Sequence, residues 1–275
     1  MKANIHVLCF ALAATVTCQA TLAAAAGVYT LGHGDIRAYY EGGKLKLRYQ
    51  LDAGAVVDGA AVNPGGSAPV SFALDDLVAT IPETPFVQAP DERFDFTGAG
   101  VGEDLWFIPE GGTEAAALEL PWLGFSTEEL DQQAWAGETL GELNFGHLQL
   151  ELLGVNGPAG SQFSLWYSPQ DEISLPLIHF ATSDGIDVND VFKSESVHGG
   201  TISGLPTSTH VHTNWFFSQR GIYDMTLKFS GTHLADGYKE AFGTVRIAVG
   251  VPEPASSTLV LGFSALTLVG RRARR

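Results

Sequence analysis

The chain has 275 residues, with 15 Lys and Arg against 31 Asp and Glu, a net charge of −16, 32 Gly and two Cys. This length can supply a substantial core, and 45% hydrophobic against 17% charged residues excludes a disordered chain. The acidic balance excludes a nucleic-acid binder, which needs clustered Lys and Arg, and the absence of long apolar runs excludes a polytopic membrane protein.

In chain order, residues 1–26 have the features of a secretory signal. Lys2 is the only charge, residues 5–16 are mostly apolar, and Ala24, Ala25 and Ala26 supply small residues for cleavage. Cys9 and Cys18 both fall inside this segment, so the mature chain is expected to carry no cysteine and to depend on its core, on bound metal, or on both. Residues 27–250 then form the expected secreted β-rich surface domain.

Period-two alternation dominates that domain. Leu45, Leu47, Tyr49 and Leu51 share one face, opposite Lys44, Lys46, Arg48 and Gln50. Leu148, Leu150 and Leu152 alternate with His147, Gln149 and Glu151, and Tyr223, Met225, Leu227 and Phe229 with Asp224, Thr226, Lys228 and Ser230. Val245, Ile247 and Val249 repeat the pattern. Each run predicts a half-buried strand of an antiparallel sheet. Turn signals separate the runs at Glu41-Gly42-Gly43, Asn63-Pro64-Gly65-Gly66, Asn156-Gly157-Pro158 and Ser183-Asp184-Gly185. Residues 53–90, rich in Pro and Gly, are expected to form an elaborated loop region. Residues 127–136 are expected to form a short helix, capped by Ser126 or Thr127. The fold expectation is all-β, an antiparallel β-sandwich of immunoglobulin-like or jelly-roll-like kind. A division near residues 154–161 leaves open one domain or two packed subdomains.

The chain closes on Val251-Pro252-Glu253-Pro254, an apolar stretch over residues 255–270, and Arg271-Arg272-Ala273-Arg274-Arg275. This order resembles the PEP-CTERM sorting tail. The resemblance implies recognition by an exosortase-type enzyme, transient inner-membrane anchoring through residues 255–270, and export to the surface, outer envelope or matrix of a Gram-negative-type bacterium. It also implies an association with extracellular polysaccharide. An ordinary C-terminal anchor is the alternative. Without Lys2 and the four terminal arginines, 10 basic residues face 31 acidic ones, a net charge of −21. Such a surface repels anionic polymers and attracts cations.

His210 and His212 stand two apart, which on a strand puts both imidazoles on one face, where they can close on a single transition metal. Asn214 is expected on the same face, orienting a ligand or water. His33, between Gly32 and Gly34, is the candidate third ligand, with Asp35 as a further ligand or as the partner of its second ring nitrogen. His198 is a weaker candidate, and His147 and His233 are expected at the surface. Asp184, Asp187 and Asp190 could suit calcium, but acidic turns are common on so negative a surface.

His33-Gly34-Asp35, the segments 103–109, 120–125 and 183–187, His210-Val211-His212-Thr213-Asn214-Trp215 and Gly221-Ile222-Tyr223 follow one another along the chain. Together they resemble the choice-of-anchor M surface-anchored proteins, apart from Arg220 where that family has proline. The resemblance implies a β-rich secreted domain on interchangeable anchors and adds weight to a zinc role, with His33, His210 and His212 as the matching histidines.

The expected function is therefore an exported, non-enzymatic protein that binds or handles Zn2+ through His33, His210, His212 and Asp35. The alternative is a matrix protein associated with extracellular polysaccharide, with Trp122, Trp135 and Trp166 as candidate sugar platforms. Catalysis is the least supported class. The chain contains no H-E-x-x-H, G-x-S-x-G or phosphate-loop pattern, and no general base is evident.

Overall fold

The computed structural model describes residues 26–84, 86–168 and 175–251. Residues 1–25 of the expected signal (1–26) and residues 252–275 of the expected sorting tail (251–275) lie outside the described residues. Among the described residues no helix is long and apolar enough to cross a membrane.

The fold is all-β. The larger sheet runs in the order Gly137–Leu140, Leu143–Asn156, Gly221–His233, Gly237–Val249, Leu77–Ile81, Gly27–Glu41, Lys44–Leu51, Val70–Phe72. The second sheet runs Leu177–Ala181, Phe163–Tyr167, Asn214–Phe217, Asp104–Ile108, Phe86–Gln88. Alternation in the sequence explains the strands of the larger sheet that have one wet face. Tyr223, Met225, Leu227 and Phe229 are buried on one face, while Asp224 and Lys228 pair with Arg246 and Glu151 on the other. The Glu41-Gly42-Gly43-Lys44 hairpin closes on two glycines with φ of 60° and 77°, the left-handed pair that a two-residue turn of this hand requires.

One core spans both sheets. Ile36, Tyr49, Phe125, Leu150, Met225 and Ile247 of the larger sheet pack with Ile108, Phe163, Leu165, Trp215 and Phe217 of the second. A smaller cluster on the far side of the second sheet joins Leu105, Phe107, Trp166 and Phe216, with Phe94 and Phe96 packed against it. Trp135 and Trp166 are thus core residues and cannot serve as sugar platforms.

Three features depart from the sequence expectation. Residues 127–136 form a 3-10 turn at Gln132–Ala134 instead of a helix. The Thr127 hydroxyl is committed to the carbonyls of Pro206 and Thr209, and the Glu128 and Glu129 side chains to Arg37 and Arg48, so the first turn is fixed elsewhere. Within the supposed loop region, Leu77–Ile81 is a strand buried along its whole length. Parallel pairing also enters the sandwich, where Leu77–Ile81 meets both Gly27–Glu41 and Gly237–Val249, and where Gly27–Glu41 meets Pro121–Ser126.

The last of these pairings builds the site. The strand Gly27–Glu41 changes neighbours near Gly32, whose φ is 95° and whose missing Cβ would lie 2.7 Å from Ala55 Cα. Beyond that point it runs beside Pro121–Ser126, which carries His210–His212 on its other edge.

Candidate metal centre

Three strands lie side by side, with Pro121–Ser126 in the middle. Their registers form rows across the sheet. His33 is level with Trp122; Asp35, Gly124 and His212 form the next row; Arg37, Ser126 and His210 form the third. Because side chains alternate along a strand, these residues share one face, while Ile36, Leu123 and Phe125 point to the core.

Gly124 makes the arrangement possible. A Cβ at this position would lie 2.8 Å from Asp35 Oδ1, 2.8 Å from His212 Cε1 and 2.5 Å from the Val211 carbonyl oxygen. With hydrogen there instead, the side chains of the two flanking strands lean over the middle one and meet. His33 Nε2 lies 3.1 Å from His212 Nε2. Asp35 Oδ2 is 3.7 Å from the first nitrogen, and Asp35 Oδ1 is 3.9 Å from the second. Ligand atoms of His33, Asp35 and His212 all lie within 4.8 Å of one another, and this is the group able to hold a metal ion among the described residues.

The surroundings prepare these three residues as donors. His33 Nδ1 is 2.7 Å from Asp52 Oδ2; donating its proton there leaves a lone pair on Nε2, aimed into the site. Burial holds His212 neutral by pushing its pKa down to about 3, and the neighbouring His33 and His210 add to the effect. Trp122 stacks on the His212 ring at 3.9 Å between centroids and 18° between planes, and its indole N–H donates to the Glu110 carbonyl at 2.8 Å. Burial pushes Asp35 up to about 6, against the attraction of His33, His210 and Arg37. Its Oδ1 is buried with no hydrogen-bond partner, and the Arg37 guanidinium stands 4.0 Å from Oδ2. A buried carboxylate with so little compensation is expensive, and a dication at this point would supply it.

Of the four residues expected as ligands, the structure therefore joins three. His210 is adjacent but outside the group, with its ring centroid 6.0 Å from that of His33 and 5.7 Å from that of His212. Its Nδ1 lies 2.9 Å from Glu128 Oε1, and Arg37 donates to the other oxygen of the same carboxylate at 2.6 Å. Asp35 belongs to the inner group with an oxygen facing each imidazole; the carboxylate that partners His33 is Asp52.

Asn214 is not on this face. The chain leaves the strand at Thr213 and enters the second sheet, where the Asn214 side chain accepts from Glu110 N at 3.1 Å and donates to Glu110 Oε2 at 2.8 Å. Since Glu110 also receives the Trp122 indole, Asn214 supports the wall of the site from behind. Asp52, Gly124 and Glu128 are the members to which the sequence assigned no role, and Trp122 was expected only as a candidate sugar platform. Only the Trp122-Leu123-Gly124 motif gave a signal, and it identified the segment without its role.

The remaining histidines have other duties. His179 is buried, stacks on Phe192 at 4.0 Å and accepts from Lys193 N through Nδ1. His147 is mostly buried rather than superficial, and His198 is exposed. The carboxylates of Asp187 and Asp190 receive the backbone N–H groups of Asn189, Ala181 and Asp187, so they order their own loop. No known protein family, curated protein or solved structure matches this chain.

Proposed function

We propose that this protein binds zinc at the His33, Asp35 and His212 cluster, as a non-enzymatic protein exported to the cell surface or its matrix. One observation carries the metal reading: two imidazole nitrogens 3.1 Å apart beside a buried carboxylate oxygen without a partner. Two nitrogens bound at about 2.0–2.1 Å to one tetrahedral zinc lie roughly 3.3 Å apart. The spacing is therefore close to that of a loaded site. Two nitrogens and one oxygen suit zinc better than calcium or magnesium, which take oxygen donors.

The chemistry that zinc supplies when bound is Lewis acidity. The chain's own residues point away from its catalytic use. Asp52 is engaged by His33, and Glu128 by Arg37 and His210, so the nearby carboxylates are already committed as acceptors. Export rests on the signal-like segment and on the resemblance to the PEP-CTERM tail, and a role among surface-anchored proteins on the resemblance to the choice-of-anchor M family. An exosortase-type enzyme is the partner this implies.

Calorimetric titration of the purified protein with zinc tests the metal reading. One equivalent binding with loss of the heat in His212→Ala supports it. No zinc-dependent heat in the parent protein would refute it.

A further inference from the structure

Resting on that zinc reading, we infer that the site passes its metal on by ligand exchange, with His210 as a displaceable fourth donor at the open edge. The four residues are graded in exposure. The side chains of Asp35 and His212 are 3% and 6% exposed, that of His33 is 22%, and that of His210 is 45%. Two donors are therefore enclosed, one stands at the rim and one is in solvent. Zinc takes four donors in tetrahedral geometry, and the inner group supplies three of them.

His210 is built to serve the fourth position. It sits one row from His212 on the same strand and the same face. Its Nδ1 is tied to Glu128 as His33 Nδ1 is tied to Asp52, which leaves Nε2 as the ring nitrogen to bind a metal in both. Glu128 is itself fixed by Arg37, so it acts as the positioning residue for His210. The ring centroid distances of 6.0 Å and 5.7 Å put His210 beside the inner group without joining it, a gap that side-chain rotation at an exposed position can close.

The exchange step conserves charge and oxidation state. A nitrogen or sulfur donor of an acceptor forms a bond to zinc while the bond from His210 Nε2 breaks. Release from the inner three donors follows as further acceptor donors replace them. Trp122 covers one face of the His212 ring, and His210 is the most exposed of the four donors.

The test is stopped-flow extraction of zinc from the loaded full chain by a small metallochromic chelator over a range of chelator concentrations. The expected result is a rate that rises in proportion to chelator concentration. In His210→Ala, zinc should still load at the inner three donors but dissociate at least about tenfold more readily, and Glu128→Gln should give a smaller change in the same direction. A rate independent of chelator concentration, or His210→Ala with unchanged affinity and rate, would overturn the exchange role while leaving the zinc site intact. A parent protein that never loads zinc would instead refute the site itself, and exchange with it. Far-ultraviolet circular dichroism of each metal-free variant separates these outcomes from misfolding.

Discussion

His33 and His212, separated by 179 positions in the chain, face each other Nε2 to Nε2 at 3.1 Å across a strand to which neither belongs. The glycine beneath them permits the contact, and the rows of the sheet align it. The site is thus a product of strand pairing, with each histidine delivered by a different edge of Pro121–Ser126.

Gly124→Ala should test that geometry directly. The added methyl group meets a backbone carbonyl as well as Asp35 and His212, so some movement is unavoidable. Overpacking of this kind costs about 1–3 kcal/mol, and the variant should remain folded. Its thermal stabilisation by zinc should fall to near zero. Differential scanning fluorimetry with and without zinc reads both effects, and full retention of the zinc shift would show that Gly124 does not make room for the site.

Asp35→Asn should separate stability from binding. In the metal-free protein the folded carboxyl is raised to about 6 from its ordinary 3.8. The native state thus holds its proton more tightly than the unfolded chain does. Stability is intact below about pH 3.8 and is lost as pH rises through about 6. The difference amounts to roughly 3 kcal/mol at pH 8. Asn carries no charge, so metal-free Asp35→Asn should be more stable than the parent at pH 8, with the advantage vanishing toward pH 4. Urea denaturation in the presence of chelator at both pH values measures it. Zinc binding should be lost in the same variant.

His179 should contribute to acid sensitivity with the opposite sign. Burial lowers its pKa from 6.5 to about 3, so the unfolded chain takes up a proton that the native state refuses. This contribution is complete above about pH 6.5 and is lost as pH falls toward 3. In His179→Phe, loss of the acceptor for Lys193 N should lower stability at pH 8 by about 1 kcal/mol. The decline between pH 6.5 and 3 should then be shallower than in the parent. Denaturation midpoints across that range decide it.

Trp122 offers an optical reporter, because its indole lies against the ring of His212, a proposed ligand. Zinc binding should change the intrinsic fluorescence of the parent protein, and Trp122→Phe should lose most of that change while still binding. An unchanged signal in the variant would place the metal elsewhere.

Much of the sandwich was legible in the sequence because several of its strands are wet on one face, so that Leu, Tyr and Phe alternate with polar and charged residues at 44–51 and 223–230. Leu77–Ile81 was not, since a strand covered on both faces has no alternation to display. The pairing of His210 with His212 on one face followed from a period of two. The same rule failed two residues later, where the chain crosses between sheets at Thr213 and takes Asn214 with it. Asp35 was legible as a neighbour of His33, but not its approach to His212, which depends on the parallel pairing of Gly32–Arg37 with Pro121–Ser126. Nothing local encodes that pairing. Gly124 likewise has meaning only once both its neighbours are known.

The most direct measurement is a crystal structure of the zinc-loaded protein, with anomalous diffraction collected on both sides of the zinc absorption edge. One strong anomalous peak is expected over Gly124, about 2.0–2.2 Å from His33 Nε2, His212 Nε2 and an oxygen of Asp35. A loaded protein whose zinc peak lies elsewhere, with these three side chains left as they are in the metal-free protein, would contradict it.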